Sequence, residues 1–156
     1  KLGGIMHPGN YSLLGVGISF GVSAKAAHPD KNVIVISGDG AFLSGGLSVE
    51  SAFQEGLPIV VVIDNNGGLD CISQQQERLF SNGKHYATDF RDIPFHTMFE
   101  GMGGHGELVE KPEDLQPALE RALSSGKTAC VNVRTRSAIS PIVLATTSKR
   151  DKASIE

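Results

Sequence analysis

The sequence predicts an α/β domain with a doubly wound, mainly parallel sheet and helices on both faces. Three observations carry this reading. Short runs of branched apolar residues alternate with segments of helical period, Gly, Pro, Asp or Asn bound each run, and polar side chains gather where two of the runs end. A chain of 156 residues, 40% hydrophobic and 20% charged, suffices for one well-cored domain. Its net charge of −3 gives no electrostatic footprint for nucleic acid, and no apolar run approaches the roughly 20 residues that span a bilayer. Cys71 and Cys130 stand far apart, in neither a CxxC nor a Cys/His pattern, which predicts unpaired packing residues in a reduced, cytoplasmic protein. The opening on Lys1 rather than Met is the start expected of a fragment, a cleaved product or one part of something longer.

The elements follow in order. Residues 13–27, rich in Ala, Gly and Ser, read as a close-packing helix that stops at "HPD". Residues 33–37 are the first strand. Residues 47–54 carry apolar side chains at helical spacing and stop at Gly56 and Pro58, and "IVVVI" (59–63) is the second strand. From Leu69 to about His105 the chain is polar and without a steady period, a long excursion with a short helix at each end, of a length that is usually functional or ordered by a partner. "GMGGHG" marks a turn, with a strand after Gly106. "KPEDLQPALERALSSG" is the clearest helix: Pro112 and two acids open it, Leu115, Leu119, Ala122 and Leu123 share a face, and Gly126 ends it. "ACVNV" (129–133) is the last strand. These elements make a domain over residues 1–136. The remainder, 137–156, is a tail with a short apolar centre and no amphipathic stripe, to be read as a disordered end or as a lid.

Function is sought where the strands end, because in a doubly wound sheet ligands bind beyond the carboxyl ends of the strands. "VIVISGDGAF" runs from a buried strand into Asp39 held between Gly38 and Gly40. Glycine permits unusual backbone angles and close approach by a ligand, and the following amides of Gly40 and Ala41, leading toward the helix near Leu47, suit a phosphate. An aspartate among phosphates needs a cation, and Mg²⁺ takes oxygens from one or two protein groups and from phosphates together. By itself a GDG turn is also an ordinary strand-to-helix connection. "IVVVIDNNGG" then places Asp64, Asn65 and Asn66 after the next strand, 27 residues beyond Asp39, room for one helix and one return strand. Asp39, the Asn66 amide oxygen and the Gly68 carbonyl would supply three protein oxygens to an octahedral ion. Two phosphate oxygens and a water complete such a shell, which favours a diphosphate ligand.

"GDGAF" followed at this interval by "NN" resembles the signature of the thiamine-diphosphate-dependent enzymes, the group of acetohydroxyacid synthase, benzoylformate decarboxylase and oxalyl-CoA decarboxylase. The similarity runs over about residues 9–135, through "LLGVGISFGVSAKAAHPDKNVIVISGDGAF" and "EDLQPALERAL...ACVNVRT". It implies the thiamine-diphosphate-binding fold, with Gly38, Asp39, Gly40, Ala41, Asn66 and Gly68 around the diphosphate and Mg²⁺ held by Asp39, Asn66 and Gly68. It also implies that the backbone of Ser12 and Leu14 meets the aminopyrimidine and that the Leu14 side chain lies under the thiazolium, holding the cofactor bent so that its own amino group reaches the C2 proton. A core leucine at a helix start is the alternative for Leu14.

Local details are similar to the branch acting on acyl-CoA, 2-hydroxyacyl-CoA lyase and oxalyl-CoA decarboxylase. "NNGG" resembles that branch, as does Glu50-Ser51 where it has Glu-Thr, whereas Ser48 departs from the glutamate of many members. This implies a carbon–carbon lyase joining or releasing formyl-CoA and an aldehyde or ketone. A 2-oxo acid or oxalyl-CoA decarboxylase and an acetohydroxyacid synthase share the site. The basic "SKRDK" of the tail suits coenzyme A phosphates if the tail is a lid. Of five histidines none has a metal-ligand spacing, and only His7, in "HPGNYS" before the aminopyrimidine segment, is a candidate for proton transfer. The glutamate that activates the cofactor in the resembling enzymes belongs to a separate pyrimidine-binding domain of a neighbouring subunit, for which no segment here qualifies. The expectation is therefore one part of a longer enzyme, completed by that domain in a homo-oligomer, a dimer or tetramer. A non-catalytic assembly domain is the alternative from another class, and it would have no need of Asp39, Asn66 and the motif glycines.

Overall fold

The computed structural model describes residues 4–9, 13–80, 83–141 and 143. They belong to two compact units, Lys1–Asn65 with Pro94–Thr135, and Asn66–Ile93 with Arg136–Glu156. The first unit holds four strands, β1 (Ile34–Gly38), β2 (Val60–Asn65), β3 (His105–Val109) and β4 (Ala129–Arg134), and the helices α1 (Val16–Ala27), α2 (Asp39–Gly45), α3 (Glu50–Gln54), α5 (Phe95–Gly101) and α6 (Leu115–Ser124). The second holds α4 (Asp70–Leu79).

The sheet is wholly parallel, in the order β1-β2-β4-β3. β1 to β2 steps one way across it and β3 to β4 steps back, so right-handed crossovers put their helices on opposite faces. On one face α6 lays Leu115, Ala118, Leu119, Ala122 and Leu123 against Val60, Val62, Val109, Ala129, Val131 and Val133. On the other, α1 approaches β1 so closely that a side chain at Gly21 would run into Val35. The same face carries an aromatic cluster in which Phe42 meets Phe95 edge-on at 5.3 Å and Phe99 at 5.9 Å, and Phe99 meets Phe53 at 5.8 Å. Each strand lies within one or two residues of its sequence prediction, although the first is not the buried strand expected: β1 packs Val35 inward and leaves Ile34 and Ile36 exposed on its other face.

Two helix boundaries differ from the sequence reading. The first helix begins at Val16, not 13, because Gly15 takes φ +93° in a turn whose backbone touches Gly45. A Cβ on Gly45 would stand 2.7 Å from the Gly15 carbonyl oxygen. The chain after β1 is also helical at once, from Asp39 rather than from near Leu47. Gly45 (φ −153°, ψ 8°) interrupts it, a 3₁₀ turn follows over Gly46–Val49, and α3 continues. Leu47 consequently faces solvent, and Val49 and Ala52 fill the core.

On β3, Glu107 accepts two bonds from Arg121, from Nε at 2.9 Å and Nη2 at 2.8 Å, and lies 2.8 Å from His105 Nε2. The Arg121 pair, seconded by His105 and opposed by burial, holds the Glu107 carboxyl below its ordinary value. A depressed carboxyl contributes stability that is complete above its unfolded value, 4.5, and is lost as pH falls through the folded one. Glu107→Gln should therefore melt lower than wild type at pH 7, with the gap closing in acid. Equal acid profiles of the two proteins would refute this.

In the second unit the antiparallel pair Gly68 and Asp89 ties the excursion back upon itself. The described start of the tail lies along α4. Ser137 Oγ donates to Asp70 Oδ1 at 2.7 Å, Gln74 Nε2 donates to the Ala138 carbonyl at 2.7 Å, the Ser140 amide donates to Gln74 Oε1 at 2.9 Å, and Val143 is buried. The disordered reading is thus corrected for residues 137–141 and 143. The "SKRDK" segment, 148–152, lies outside the described residues, as does Ser12. Among the described residues no helix is long and apolar enough to cross a membrane. Cys71 and Cys130 are unpaired, and burial pushes the Cys130 thiol up to about 12.

Candidate functional site

β1 ends at Gly38 and α2 starts at Asp39, so the aspartate stands at the carboxyl edge of the sheet, 3% exposed. Its Oδ1 accepts the amide of Gly40 at 2.7 Å. The local sequence explains the placement. Phe42, one turn on, inserts into the aromatic cluster and draws that face of α2 inward, taking Asp39 with it. Gly38 is not there for its backbone angles, since φ −69° and ψ 157° suit any residue, and a Cβ on it would meet nothing within 4 Å. Of the two uses of glycine expected at this position, strain relief falls away and clearance for a ligand remains.

The three polar residues "DNN" serve different ends. Asp64 Oδ1 accepts from the Thr135 hydroxyl. Asn65 Nδ2 donates to Asn132 Oδ1 at 3.0 Å, a buried amide pair between β2 and β4, with Asn132 Nδ2 3.3 Å from His96 Nδ1. Asp64 and Asn65 therefore serve the sheet. Asn66, the first residue past β2, keeps a buried side-chain oxygen, Oδ1, without a hydrogen-bond partner. A buried unsatisfied acceptor costs about 1–3 kcal/mol, a cost that a bound cation removes. Asn66, Gly67 and Gly68 line a cleft of about 230 Å³ with Asp70, Glu77 and His85 among its other walls.

Of the other expected site residues, Leu14 is not a core leucine. It sits in the turn ahead of α1 with 56% of its surface exposed, an apolar side chain available to a ligand. His7 is exposed and accepts the Gly9 amide on Nδ1 at 3.0 Å. Sequence reasoning missed His85, which lies between Glu77 Oε1 (2.8 Å) and Asp89 Oδ1 (2.7 Å). Nothing in "KHYATD" announces it, since its partners are set by the fold of a loop. Asn132 did leave a signal, a lone amide in the apolar strand "ACVNV". Among the described residues no group of three or more His, Cys, Asp or Glu could hold a metal.

A family model described as "Thiamine pyrophosphate enzyme, C-terminal TPP binding domain" matches residues 1–133. The chain belongs to this family. Among its relatives, an acetolactate synthase large subunit of Mycobacterium tuberculosis is 36% identical over 131 residues, 83% of this chain and 24% of the relative. A 2-hydroxyacyl-CoA lyase of Oryza sativa is 33% identical over 132 residues, 82% of this chain and 23% of the relative. The solved thiamine diphosphate-dependent 4-hydroxybenzoylformate decarboxylase of Rhodococcus jostii RHA1 superposes with a TM-score of 0.72 at 33% identity, over 81% of this chain and 24% of its own. The chain thus spans about a quarter of the length of these proteins, and its sheet is that of the thiamine pyrophosphate enzymes' C-terminal domain. The residues described fit the cofactor. Asp39 is a buried carboxylate, Gly38 leaves room for close approach, and the Asn66 side-chain oxygen is a buried acceptor without a hydrogen-bond partner.

Proposed function

We propose that this chain is the Mg²⁺- and thiamine-diphosphate-holding part of an enzyme that makes or breaks the carbon–carbon bond of a 2-hydroxyacyl-CoA. The buried, unpartnered Oδ1 of Asn66 carries the cofactor half of this reading. Asp39, Asn66 and the Gly68 carbonyl would hold the metal, the Gly40 and Ala41 amides the diphosphate beside Gly38, and Ser12 and Leu14 the two rings. When bound, the cofactor supplies a nucleophilic carbon and an electron sink for cleaving the bond beside a carbonyl. The chain's own residues bind and orient it. Asp39 neutralises the ion without titrating in the reaction, and Leu14 offers an apolar support. His7 is the candidate for moving a proton at the reacting carbon.

The acyl-CoA class rests on Gly67-Gly68 after the paired asparagines and on Glu50-Ser51. The 36% identity to acetolactate synthases favours a second reading, condensation of 2-oxo acids at the same site. We place the enzyme in the cytoplasm as a homo-oligomer whose pyrimidine-binding domain, from elsewhere in the enzyme or a partner subunit, supplies the activating glutamate. Residues 1–136 serve there as the cofactor domain and 137–156 as the lid. Assay of the complete enzyme with formyl-CoA plus aldehydes or ketones, against pyruvate and against oxalyl-CoA, separates the readings. Turnover of pyruvate alone would replace the acyl-CoA assignment with the synthase one. Absence of thiamine diphosphate binding with and without Mg²⁺ would leave only an assembly role.

A further inference from the structure

The Gly67-Gly68 turn is held from behind by one short segment. The Phe90 amide donates to the Gly67 carbonyl at 2.7 Å, and the Leu69 amide donates to the Thr88 carbonyl at 2.8 Å. Gly68 lies against that same Thr88 carbonyl so tightly that a Cβ would collide with it, and Gly67 takes φ +81°, so both glycines are demanded by the clamp. The clamp is in turn fastened to α4. Ser73 Oγ donates to Thr88 Oγ1 at 2.8 Å, and both are buried. Gln76 reaches Tyr86 twice, accepting its amide at 2.6 Å and donating to its carbonyl at 3.2 Å. His85 closes the fastening by joining Glu77 of α4 to Asp89 of the clamp.

We propose that His85, bridging Glu77 and Asp89, is a positioning residue that holds residues 88–90 against Gly67-Gly68 and so presets that turn for the cofactor's metal ion. The proposal rests on the reading above, in which Gly68 supplies a ligand oxygen. Positioning groups of this kind typically change metal affinity 10–100-fold when removed, because the ion no longer meets an arranged ligand.

The geometry also fixes the charge state in which the clasp is complete. Both ring nitrogens face carboxylate oxygens, and a neutral imidazole donates from only one of them. The bond to Asp89, then that to Glu77, raises the His85 value above 6.5. The titratable groups facing it are Glu77 from α4 and Asp89 from its own loop, with Asp70 on the same cleft. A raised histidine contributes fully below its unfolded value and loses that contribution as pH rises through its folded one.

The test uses the complete enzyme, Mg²⁺ titrated calorimetrically at saturating thiamine diphosphate, and amide hydrogen exchange of the protein free of both. His85→Ala should weaken Mg²⁺ about 10–100-fold and speed exchange at the Leu69 and Phe90 amides. The wild-type advantage over His85→Gln should shrink as pH rises above the ordinary histidine range, a signature that a purely structural side chain would not give. Unchanged Mg²⁺ affinity in His85→Ala overturns the clasp, and if that variant does not fold, His85→Gln and Ser73→Ala decide by the same measurement. Asp39→Ala run alongside separates the two ideas: lost binding there with normal binding in His85→Ala sinks the clasp alone, and normal binding in Asp39→Ala sinks both.

Discussion

Asp39→Ala in the complete enzyme is expected to lose Mg²⁺-dependent thiamine diphosphate binding, by more than the roughly 100-fold that removal of a supporting residue brings, because in the proposed site it removes a charged ligand itself. The carboxylate is 3% exposed at the carboxyl end of a parallel strand, where burial of a charge is tolerated only with compensation. The Gly40 amide supplies part of that compensation, and in the proposed site a divalent ion shared with a diphosphate would add to it. The contrast between binding and folding makes the experiment decisive. Addition of Mg²⁺ and cofactor should raise the melting temperature of wild type by mass action and leave that of Asp39→Ala where it was. Calorimetric titration checks the first outcome and thermal scans the second. Wild-type affinity in the variant would require the cofactor site to be withdrawn.

The strands and the strand-end residues were legible because they depend on local chemistry: branched apolar runs of strand length, each ending in Gly, Asp or Asn. β1 and β2 could be paired from their interval alone, since one helix and one return strand leave little choice of neighbour. Long-range contacts hid the rest. "GDGAFLSGG" looks like an extended glycine turn, and only the burial of Phe42 and the contact between Gly15 and Gly45 show why it coils immediately. The division of labour within "DNN" turns on Asn132 and Thr135, 67 and 71 residues away, which occupy Asn65 and Asp64 and leave Asn66 over. For Leu14 the structure removes the alternative of a core leucine. Its neighbours suggest a helix start in the core, whereas the turn at Gly15 holds it at the surface.

Phe42→Ala is the substitution in the first unit from which the largest loss of stability is expected, about 3–5 kcal/mol for a fully buried aromatic ring. The ring is 3% exposed and packs edge-on to Phe95 and tilted to Phe99, pairings that add roughly 0.5–1.5 kcal/mol beyond burial. Relaxation cannot close the cavity cheaply, because the ring also stands over Gly46, where a Cβ would lie 2.7 Å from its atoms, and no side chain is present there to move in. Phe42→Leu should lose less, since it keeps most of the volume and forfeits mainly the ring pairings. A consequence for function follows from the helix: Phe42 lies one turn beyond Asp39 and is the anchor that sets the roll of α2. Phe42→Ala should therefore weaken cofactor affinity as well as lower the melting temperature of the enzyme, whereas Phe99→Ala, equally buried but on α5, should lower the melting temperature with a smaller loss of affinity. Thermal scans and calorimetry on the two variants test this ordering, and equal affinity losses would show that α2 is not held through Phe42.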